Sequence, residues 1–231
     1  MIPKKIHYCW FGRNELPPKA KKCIDSWKKY CPDYEIIEWN EENFNVNMNA
    51  YTKMCYEQKK YAFLTDYVRL LVIAEHGGIY FDTDVEVIKS FDELLDCDAF
   101  WGFESNDYVN TGIGFGAVAN NEIVFQMIRE YDKMLDGKHE TVNCPKLNTD
   151  ALLKYGLQLS GEKQCINNAW IYPVDYFNPL NSNTGKINKT ENTHSIHWYS
   201  MSWLSPMARL RSKITRPFHR IFGEDCFHKK N

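Results

Sequence analysis

The stretch Gly77-Gly78-Ile79-Tyr80-Phe81-Asp82-Thr83-Asp84 decides how this chain can fold. Two glycines end the preceding segment, a short apolar run follows, and two aspartates then stand one residue apart. The apolar run predicts a strand, and in open α/β sheets the carboxyl ends of strands face the ligand crevice. Because an unpaired buried carboxylate is costly, Asp82 and Asp84 require either a cation or a position at the rim.

The spacing of the two aspartates favours a metal site. Carboxylate oxygens suit hard divalent ions such as Mg²⁺ or Mn²⁺. These ions take one or two protein carboxylates and complete their shell with water and substrate phosphates. We therefore interpret Asp82 and Asp84 as a metal–diphosphate site. The alternative is an acidic hairpin turn, because aspartate is common in turns.

The segment before the glycines predicts a buried helix over residues 61–76, because apolar residues occupy nearly all of its sides. Gly77 is placed to cap its C-terminus. Within the helix, Asp66 and Arg69 are three residues apart and share one face. They form either a buried ion pair that serves only the fold, or a pair that faces a polar ligand beside the Asp82 strand.

The beginning of the chain predicts a strand–helix–strand unit. The strands are expected at residues 6–11 and 34–39, and a helix between them opens at Pro17-Pro18. This order predicts a parallel pair joined by a right-handed crossover.

The rest of the chain alternates strand and helix patterns. Strands are predicted at residues 85–88, 99–104, 110–117, 170–173 and 195–199, and helices at residues 122–136 and 148–155. In the run 110–117, glycines recur at every second position, which on one strand would place all three on one face.

Length and composition predict an ordinary globular protein. A chain of 231 residues favours one domain with an appendage, and a net charge of −2 gives no reason to expect nucleic acid as a partner. The 8 cysteines are scattered without a Cys-x-x-Cys pair, and no signal peptide or bilayer-length apolar run is evident. We therefore expect reduced thiols and a cytoplasmic location.

The C-terminal residues 207–231 form a predicted basic tail that follows a main domain at residues 1–206. The tail carries seven Lys and Arg against two Asp and Glu, a net charge of +5. Its apolar residues recur at three- and four-residue steps, which is typical of an interfacial helix. The tail is predicted either to contact an anionic membrane, placing the protein at the inner membrane face, or to dock on its own domain.

Four segments of this sequence resemble glycosyltransferase family 32, the sugar transferases with an Asp-x-Asp motif. They are residues 2–12, residues 26–39, residues 62–84, and the late His197-Trp198 with Ser202-Trp203. The family includes bacterial capsular polysaccharide enzymes and fungal mannosyltransferases, and the glucosylating domains of clostridial toxins are a more distant match. The third segment is the most specific, because it combines the Asp/Arg helix, the double glycine and the Asp-x-Asp strand.

The resemblance implies an α/β fold of the GT-A type, a Rossmann-like nucleotide-sugar-binding domain around a mixed central sheet. It also implies transfer of a hexose, with retained configuration, from a nucleotide-sugar to a glycan or lipid-linked acceptor in surface polysaccharide (capsule) synthesis. A UDP-sugar is the favoured donor, and Mn²⁺ or Mg²⁺ is the implied cofactor.

The resemblance also implies a set of site residues. Asp82 and Asp84 would hold the metal, with His197 as a further ligand. Asp66 and Arg69 would contact the sugar or phosphate, and together with Asp84 they are the implied catalytic residues. Donor binding would further involve Trp10, which stacks on the base, and Thr83, Asn110 and Trp203; Asp150 is assigned to the acceptor. Alternatively, Trp10 belongs to the core of its strand and His197 is a core histidine.

Two other functions are consistent with parts of the sequence. A phosphohydrolase of the haloacid dehalogenase type also places Asp-x-Asp after an apolar strand, but its downstream Gly-Asp-x-x-x-Asp pattern is not found here. A non-catalytic sugar-binding module would explain the 15% aromatic content. Such a module requires neither a buried arginine nor a metal–diphosphate site.

Overall fold

A computed structural model of the chain describes residues 1–200 and, beyond them, residues 207, 211, 215–217, 219 and 220. The strands of this part are β1 Lys5–Cys9, β2 Glu35–Trp39, β3 Gly78–Tyr80, β4 Val85–Val87, β5 Ala99–Ser105, β6 Tyr108–Asn110, β7 Phe115–Ala117, β8 Gln164–Ile166, β9 Ala169–Tyr172 and β10 Ser195–His197. The α-helices are α1 Pro18–Tyr30, α2 Ala50–Glu57, α3 Tyr61–His76, α4 Glu122–Arg129, α5 Cys144–Leu153 and α6 Val174–Phe177. Short 3₁₀ turns cover Asp92–Leu94 and Asp132–Met134.

The central sheet is mixed, as predicted. Its strands follow the order β2-β1-β3-β7-β5-β9-β8, with β6 paired to β5 beside this path. Strands β2, β1 and β3 run parallel, β7 is antiparallel to both β3 and β5, and β9 is parallel to β5. Strands β4 and β10 form a separate antiparallel ribbon. The opening β1-α1-β2 unit is therefore the parallel crossover that its sequence indicates.

Two apolar layers sandwich the sheet, and the alternation of side chains along each strand separates them. In β5, Trp101 packs into the layer that contains α3, whereas Phe100 packs into the layer that contains α1. In β3, Tyr80 packs into the layer that contains α3, and Ile79 packs into the layer that contains α1. The result is an α/β sandwich in which α3 and α1 cover opposite faces of the strands that lead to the two aspartates.

Helix α3 has the predicted limits. It ends at Gly77, whose φ of 61° lies in the left-handed region that favours glycine. Helix α2 was not predicted, although Asn49 and Thr52 form a capping box at its start. Asn49 closes a polar, asparagine-rich stretch over residues 40–49, a composition that is typical of a loop and conceals the helix start.

Three predicted elements differ from the structure. The helix expected over residues 122–136 ends at Arg129, and the 3₁₀ turn Asp132–Met134 follows it. The run 110–117 is not one strand: β6 ends at Asn110, a turn follows, and β7 begins at Phe115, because Gly114 adopts a φ of 125° that a strand cannot accommodate. The helix expected over residues 148–155 begins earlier, at Cys144, with Pro145 in its first turn. Asp150 therefore lies in the second half of α5, not near its start.

The described part of the chain holds seven cysteines, all of them free thiols, as expected for reduced cysteines. In the same part, every helix is too short or too polar to cross a bilayer.

Candidate active site

The two aspartates lie in a turn that links the central sheet to the ribbon. The backbone N–H of Asp82 donates to the Gly112 carbonyl at 3.2 Å, and the Val85 N–H donates to the Asp82 carbonyl at 3.0 Å. The Trp198 N–H donates to the Asp84 carbonyl at 3.0 Å. Main-chain hydrogen bonds on both sides therefore hold the turn at the end of β3.

Pairing of β10 with β4 brings His197 to the aspartates. In this ribbon His197 lies opposite Val85, and its Nε2 is 3.1 Å from Asp84 Oδ1. The Ser200 N–H donates to the other carboxylate oxygen, Asp84 Oδ2, at 2.6 Å. Ligand atoms of Asp82, Asp84 and His197 all lie within 4.8 Å of one another.

These three residues fit a divalent cation. Burial opposes ionisation of Asp84, but His197 and the Ser200 N–H outweigh it and hold the pKa of that carboxyl well below its usual range. Burial would lower the pKa of His197, yet the nearby carboxylates of Asp84 and Asp82 raise it. Two carboxylates and one imidazole nitrogen thus converge; carboxylate oxygens suit a hard divalent cation, and a neutral imidazole can supply a further ligand.

Arg69 links the helix to the aspartates. Its side chain is only 3% exposed, and Nη2 lies 2.9 Å from Asp66 Oδ1 and 2.9 Å from Asp82 Oδ1. Arg69 Nε donates to the Thr65 carbonyl at 3.2 Å, and the guanidinium lies 4.8 Å above the Tyr80 ring. Arg69 therefore forms ion pairs with Asp66 and Asp82 at the same time.

Burial raises the pKa of Asp66 to about 6, and the positive charge of Arg69 opposes this rise. Burial likewise raises the pKa of Asp82, again against Arg69, while Asp84 adds repulsion. A single guanidinium thus faces two carboxylates in a poorly solvated site. The site has an excess of negative charge, which a bound cation would balance.

Several contributors were not singled out from the sequence. The Tyr80 hydroxyl donates to Asp82 Oδ1 at 3.2 Å. Tyr80 lies two residues before Asp82 on an extended segment, and side chains at this spacing share one face, which is the sequence signal that could have predicted the contact. Gly112 leaves room for the site, since a Cβ there would lie 2.4 Å from Asp82 Oδ2 and 2.9 Å from Arg69 Nη1. Asn110 was predicted, and its Oδ1 accepts the Gly112 N–H at 2.7 Å.

Residues 17–101 match a family model described as a glycosyltransferase sugar-binding region containing a DXD motif. Residues 17–101 of this chain therefore resemble the DXD-containing sugar-binding region of glycosyltransferases. Asp82 and Asp84 are the DXD aspartates, and the helix that carries Asp66 and Arg69 lies within the matched region.

Two curated glycosyltransferases resemble this chain. Inositol phosphoceramide mannosyltransferase 3 of Schizosaccharomyces pombe is 28% identical over 146 residues, which are 60% of this chain and 39% of that protein. An uncharacterized glycosyltransferase of Acanthamoeba polyphaga mimivirus is 24% identical over 195 residues, which are 78% of this chain and 77% of that protein. The chain thus spans well under half the length of the fission yeast relative.

Two solved structures share the fold. The PaToxG glycosyltransferase has a TM-score of 0.55 at 21% identity, covering 66% of this chain and 68% of that one. A glycosyltransferase involved in the glycosylation of the major capsid of PBCV-1 has a TM-score of 0.51 at 12% identity, covering 90% and 98%. The fold is thus of the GT-A type, as the resemblance implied.

The remaining predicted site residues are placed as follows. Trp10 directly follows β1, is partly buried, and donates through Nε1 to the Asn14 carbonyl at 2.6 Å. Thr83 lies between the two aspartates and is partly exposed. Asp150 pairs with Lys146 at 2.5 Å on the exposed side of α5, and no described contact brings it to the cluster. Trp203 lies outside the described residues.

Proposed function

We propose that the domain transfers a hexose from a nucleotide-sugar to a glycan acceptor and requires Mn²⁺ or Mg²⁺. The observation that carries this proposal is the convergence of Asp82, Asp84 and His197 beside the buried Arg69. When bound, the cation acts as a Lewis acid on the diphosphate leaving group. Asp82, Asp84 and His197 would hold it.

The other residues of the site have separate roles in this proposal. Arg69 presents a planar guanidinium, a group that suits phosphate or paired hydroxyls, and Asp66 accepts hydrogen bonds from the donor sugar. Trp10, at the end of β1, offers an aromatic face to the base, which favours a UDP-sugar. Thr83, Asn110 and Trp203 complete the donor site.

Finer features of the reaction are also proposed. We expect retention of anomeric configuration, which NMR assignment of the new linkage tests; an inverted linkage contradicts it. The fission yeast relative is named for mannosyl transfer to inositol phosphoceramide, which supports a hexose donor and a lipid-linked acceptor. Such an acceptor fits surface polysaccharide synthesis at the inner membrane face, with the basic tail 207–231 in contact with anionic lipid.

A phosphohydrolase of the haloacid dehalogenase type fits the geometry less well. That chemistry uses the first aspartate of the motif as its nucleophile. Here Asp82 Oδ1 accepts hydrogen bonds from both Arg69 and Tyr80. These bonds hold the carboxylate in place and withdraw electron density from it, which disfavours nucleophilic attack.

Asp84→Asn tests the metal site. We expect Mn²⁺-dependent binding of UDP or GDP to be lost, because the variant removes one ligand charge while Asn can still accept the Ser200 N–H. Ligand at about 100 times Kd stabilises a native protein by about 2.7 kcal/mol, so a thermal-shift series with and without Mn²⁺ measures the loss.

Glu86→Gln is the matched control. Glu86 lies two residues further on, where its carboxylate accepts from Trp198 Nε1 at 2.8 Å outside the cluster. The variant removes the same charge and should leave nucleotide binding unchanged. Wild-type affinity in Asp84→Asn would refute the metal assignment, and binding without turnover of any nucleotide-sugar would favour the non-catalytic module.

A further inference from the structure

A cleft of about 450 Å³ lies beside the metal cluster. It is lined by the end of β5, by α6 and the loop after it, and by Tyr199. The Tyr199 ring packs against His197, with 4.2 Å between the ring centroids. One wall of the cleft therefore touches a residue that would hold the cation.

A hydrogen-bonded triad forms this wall. The Tyr199 hydroxyl donates to Glu104 Oε1 at 3.3 Å and accepts from Asn178 Nδ2 at 2.6 Å. Asn178 Nδ2 also donates to the Glu104 carbonyl at 3.2 Å. The triad therefore holds the Glu104 carboxylate against Tyr199, the ring that packs on His197.

The triad leaves hydrogen-bonding capacity unused. Asn178 is only 3% exposed, and among the described residues its Oδ1 has no partner. This oxygen has almost no accessible surface and does not face the cleft, so Glu104 is the acceptor of the triad that a ligand can reach. Glu104 can accept a second hydrogen bond, because a carboxylate has about four lone-pair sites.

The lining indicates the chemistry of the ligand. Amide and hydroxyl side chains alternate with the apolar Val174, Pro179 and Leu180, a mixture that suits a sugar ring with polar edges and an apolar face. The carboxylates of Glu104 and Asp175 also line the cleft, and Arg216 Nε donates to the carbonyl of the lining residue Ser182 at 3.0 Å. The two carboxylates disfavour an anionic group on the sugar ring that contacts Glu104.

We propose that this cleft binds the acceptor as a neutral saccharide, with one ring hydroxyl on Glu104. The inference rests on the proposed function and places the accepting sugar next to His197. It also moves acceptor recognition away from Asp150 on α5 and assigns it to the end of β5 and the loop after α6.

Saturation-transfer difference NMR on the full chain tests the cleft without depending on catalysis. The probes are the methyl α-glycosides of glucose, galactose and mannose, each measured with and without UDP and Mn²⁺. We expect saturation transfer to at least one of them, and its loss in Asn188→Trp, which places an indole in the cleft. Lys186→Trp, on the same loop outside the cleft, is the control and should retain the signal.

Steady-state transfer to the responding glycoside then tests Glu104. Glu104→Gln keeps an acceptor for Tyr199 but removes the charge, so the acceptor KM should rise about tenfold while Mn²⁺-dependent UDP binding is unchanged. Asp107→Asn, at the exposed turn after β5, should change neither value.

The outcomes separate this inference from the proposed function. Absence of saturation transfer to all three glycosides, or a signal that Asn188→Trp leaves intact, overturns the cleft. An unchanged acceptor KM in Glu104→Gln overturns the role of that carboxylate. Absence of Mn²⁺-dependent nucleotide binding in the wild type contradicts the proposed function instead. In that case, saturation transfer to the glycosides measured without nucleotide still tests the cleft.

Discussion

At the scale of single residues, Arg69 joins the site to the core. It is nearly inaccessible, yet its charge is shared between Asp66 of its own helix and Asp82 of the DXD turn. The face of the Tyr80 ring lies beneath the guanidinium, a favourable position for a cation. Arg69 therefore orients the Asp82 carboxylate and is itself held in place by Tyr80 of β3.

Gly112→Ala is expected to damage the site more than the fold. The added methyl group would lie 2.4 Å from Asp82 Oδ2, so the carboxylate has to move. Overpacking of this kind costs about 1–3 kcal/mol of stability, and a displaced ligand group can weaken function by about 100-fold. Titration of Mn²⁺ and UDP against the variant measures the effect.

Gly156→Ala separates stability from site geometry. Gly156 has a φ of 97°, but a methyl group added there would meet no atom within 4 Å, so its substitution strains the backbone without touching Asp82. The variant should lose stability and keep nucleotide affinity. Equal affinity in Gly112→Ala and the wild type would show that the contact does not constrain Asp82.

His7 is predicted to make stability depend on pH. Trp39 Nε1 donates to His7 Nδ1 at 3.0 Å, so the ring is neutral and its Nε2–H donates to the Gly77 carbonyl at 3.0 Å. Burial lowers the pKa of His7 to about 4. As pH falls, His7 in the unfolded chain takes up a proton near pH 6.5, before the folded chain does. The contribution of neutral His7 to the free energy of unfolding is therefore complete above about pH 6.5 and is lost as pH falls toward 4, by about 1.4 kcal/mol per pH unit.

Urea unfolding of the wild type and His7→Gln between pH 7 and 4 measures this effect. Glutamine carries an acceptor and a donor but does not titrate, so the variant should lose less stability on acidification. Parallel stability curves for the two proteins would assign the acid sensitivity to other groups.

At the scale of elements, helix α1 anchors the ribbon that carries the site. Trp27 Nε1 donates to the Val85 carbonyl at 2.8 Å, and the Val87 N–H donates to Ser26 Oγ at 2.9 Å. These bonds hold β4 against α1, and β4 in turn positions β10 with His197. The ribbon is thus fixed by a helix on the face of the sheet opposite α3.

Trp27→Phe should therefore destabilise the protein by about 2–4 kcal/mol, because it removes a buried donor and leaves a cavity. Trp101→Phe is the matched control, since Trp101 is equally buried but its Nε1 has no partner among the described residues. Chemical denaturation of both variants checks the prediction. A larger loss in Trp101→Phe would mean that packing outweighs the hydrogen bond to Val85.

At the scale of the whole molecule, charge is unevenly distributed along the chain. The tail 207–231 carries +5 within a chain of net charge −2. Most of the tail lies outside the described residues, but Arg216 Nε donates to the Ser182 carbonyl at 3.0 Å. Arg216 therefore contacts the loop after α6.

We expect the full chain to co-sediment with anionic liposomes and a version ending at Ser205 not to do so. Each Lys or Arg near an anionic leaflet contributes about 1 kcal/mol, and added salt should weaken the interaction. Neutral phosphatidylcholine vesicles are the control. Equal sedimentation of the two versions, or none by either, excludes this role for the tail.

Much of the fold was predictable because its signals are local. Helix α3 and Gly77 were predicted at their observed positions, since an apolar helix followed by a left-handed glycine is a pattern within one short window. The β1-α1-β2 unit and the DXD aspartates at a strand end are local in the same sense. The roles of all the predicted site residues, from Trp10 to Trp203, remain predictions.

The sequence by itself determined which residues could supply ligands and charge: Asp82, Asp84, Asp66 and Arg69. Only the tertiary structure decided that Arg69 reaches Asp82, that His197 reaches Asp84, and that Glu104 meets Tyr199. These pairs join residues 13, 113 and 95 positions apart. Their proximity depends on the order and register of strands, which are set by packing of the whole sheet and are encoded in no single window of sequence.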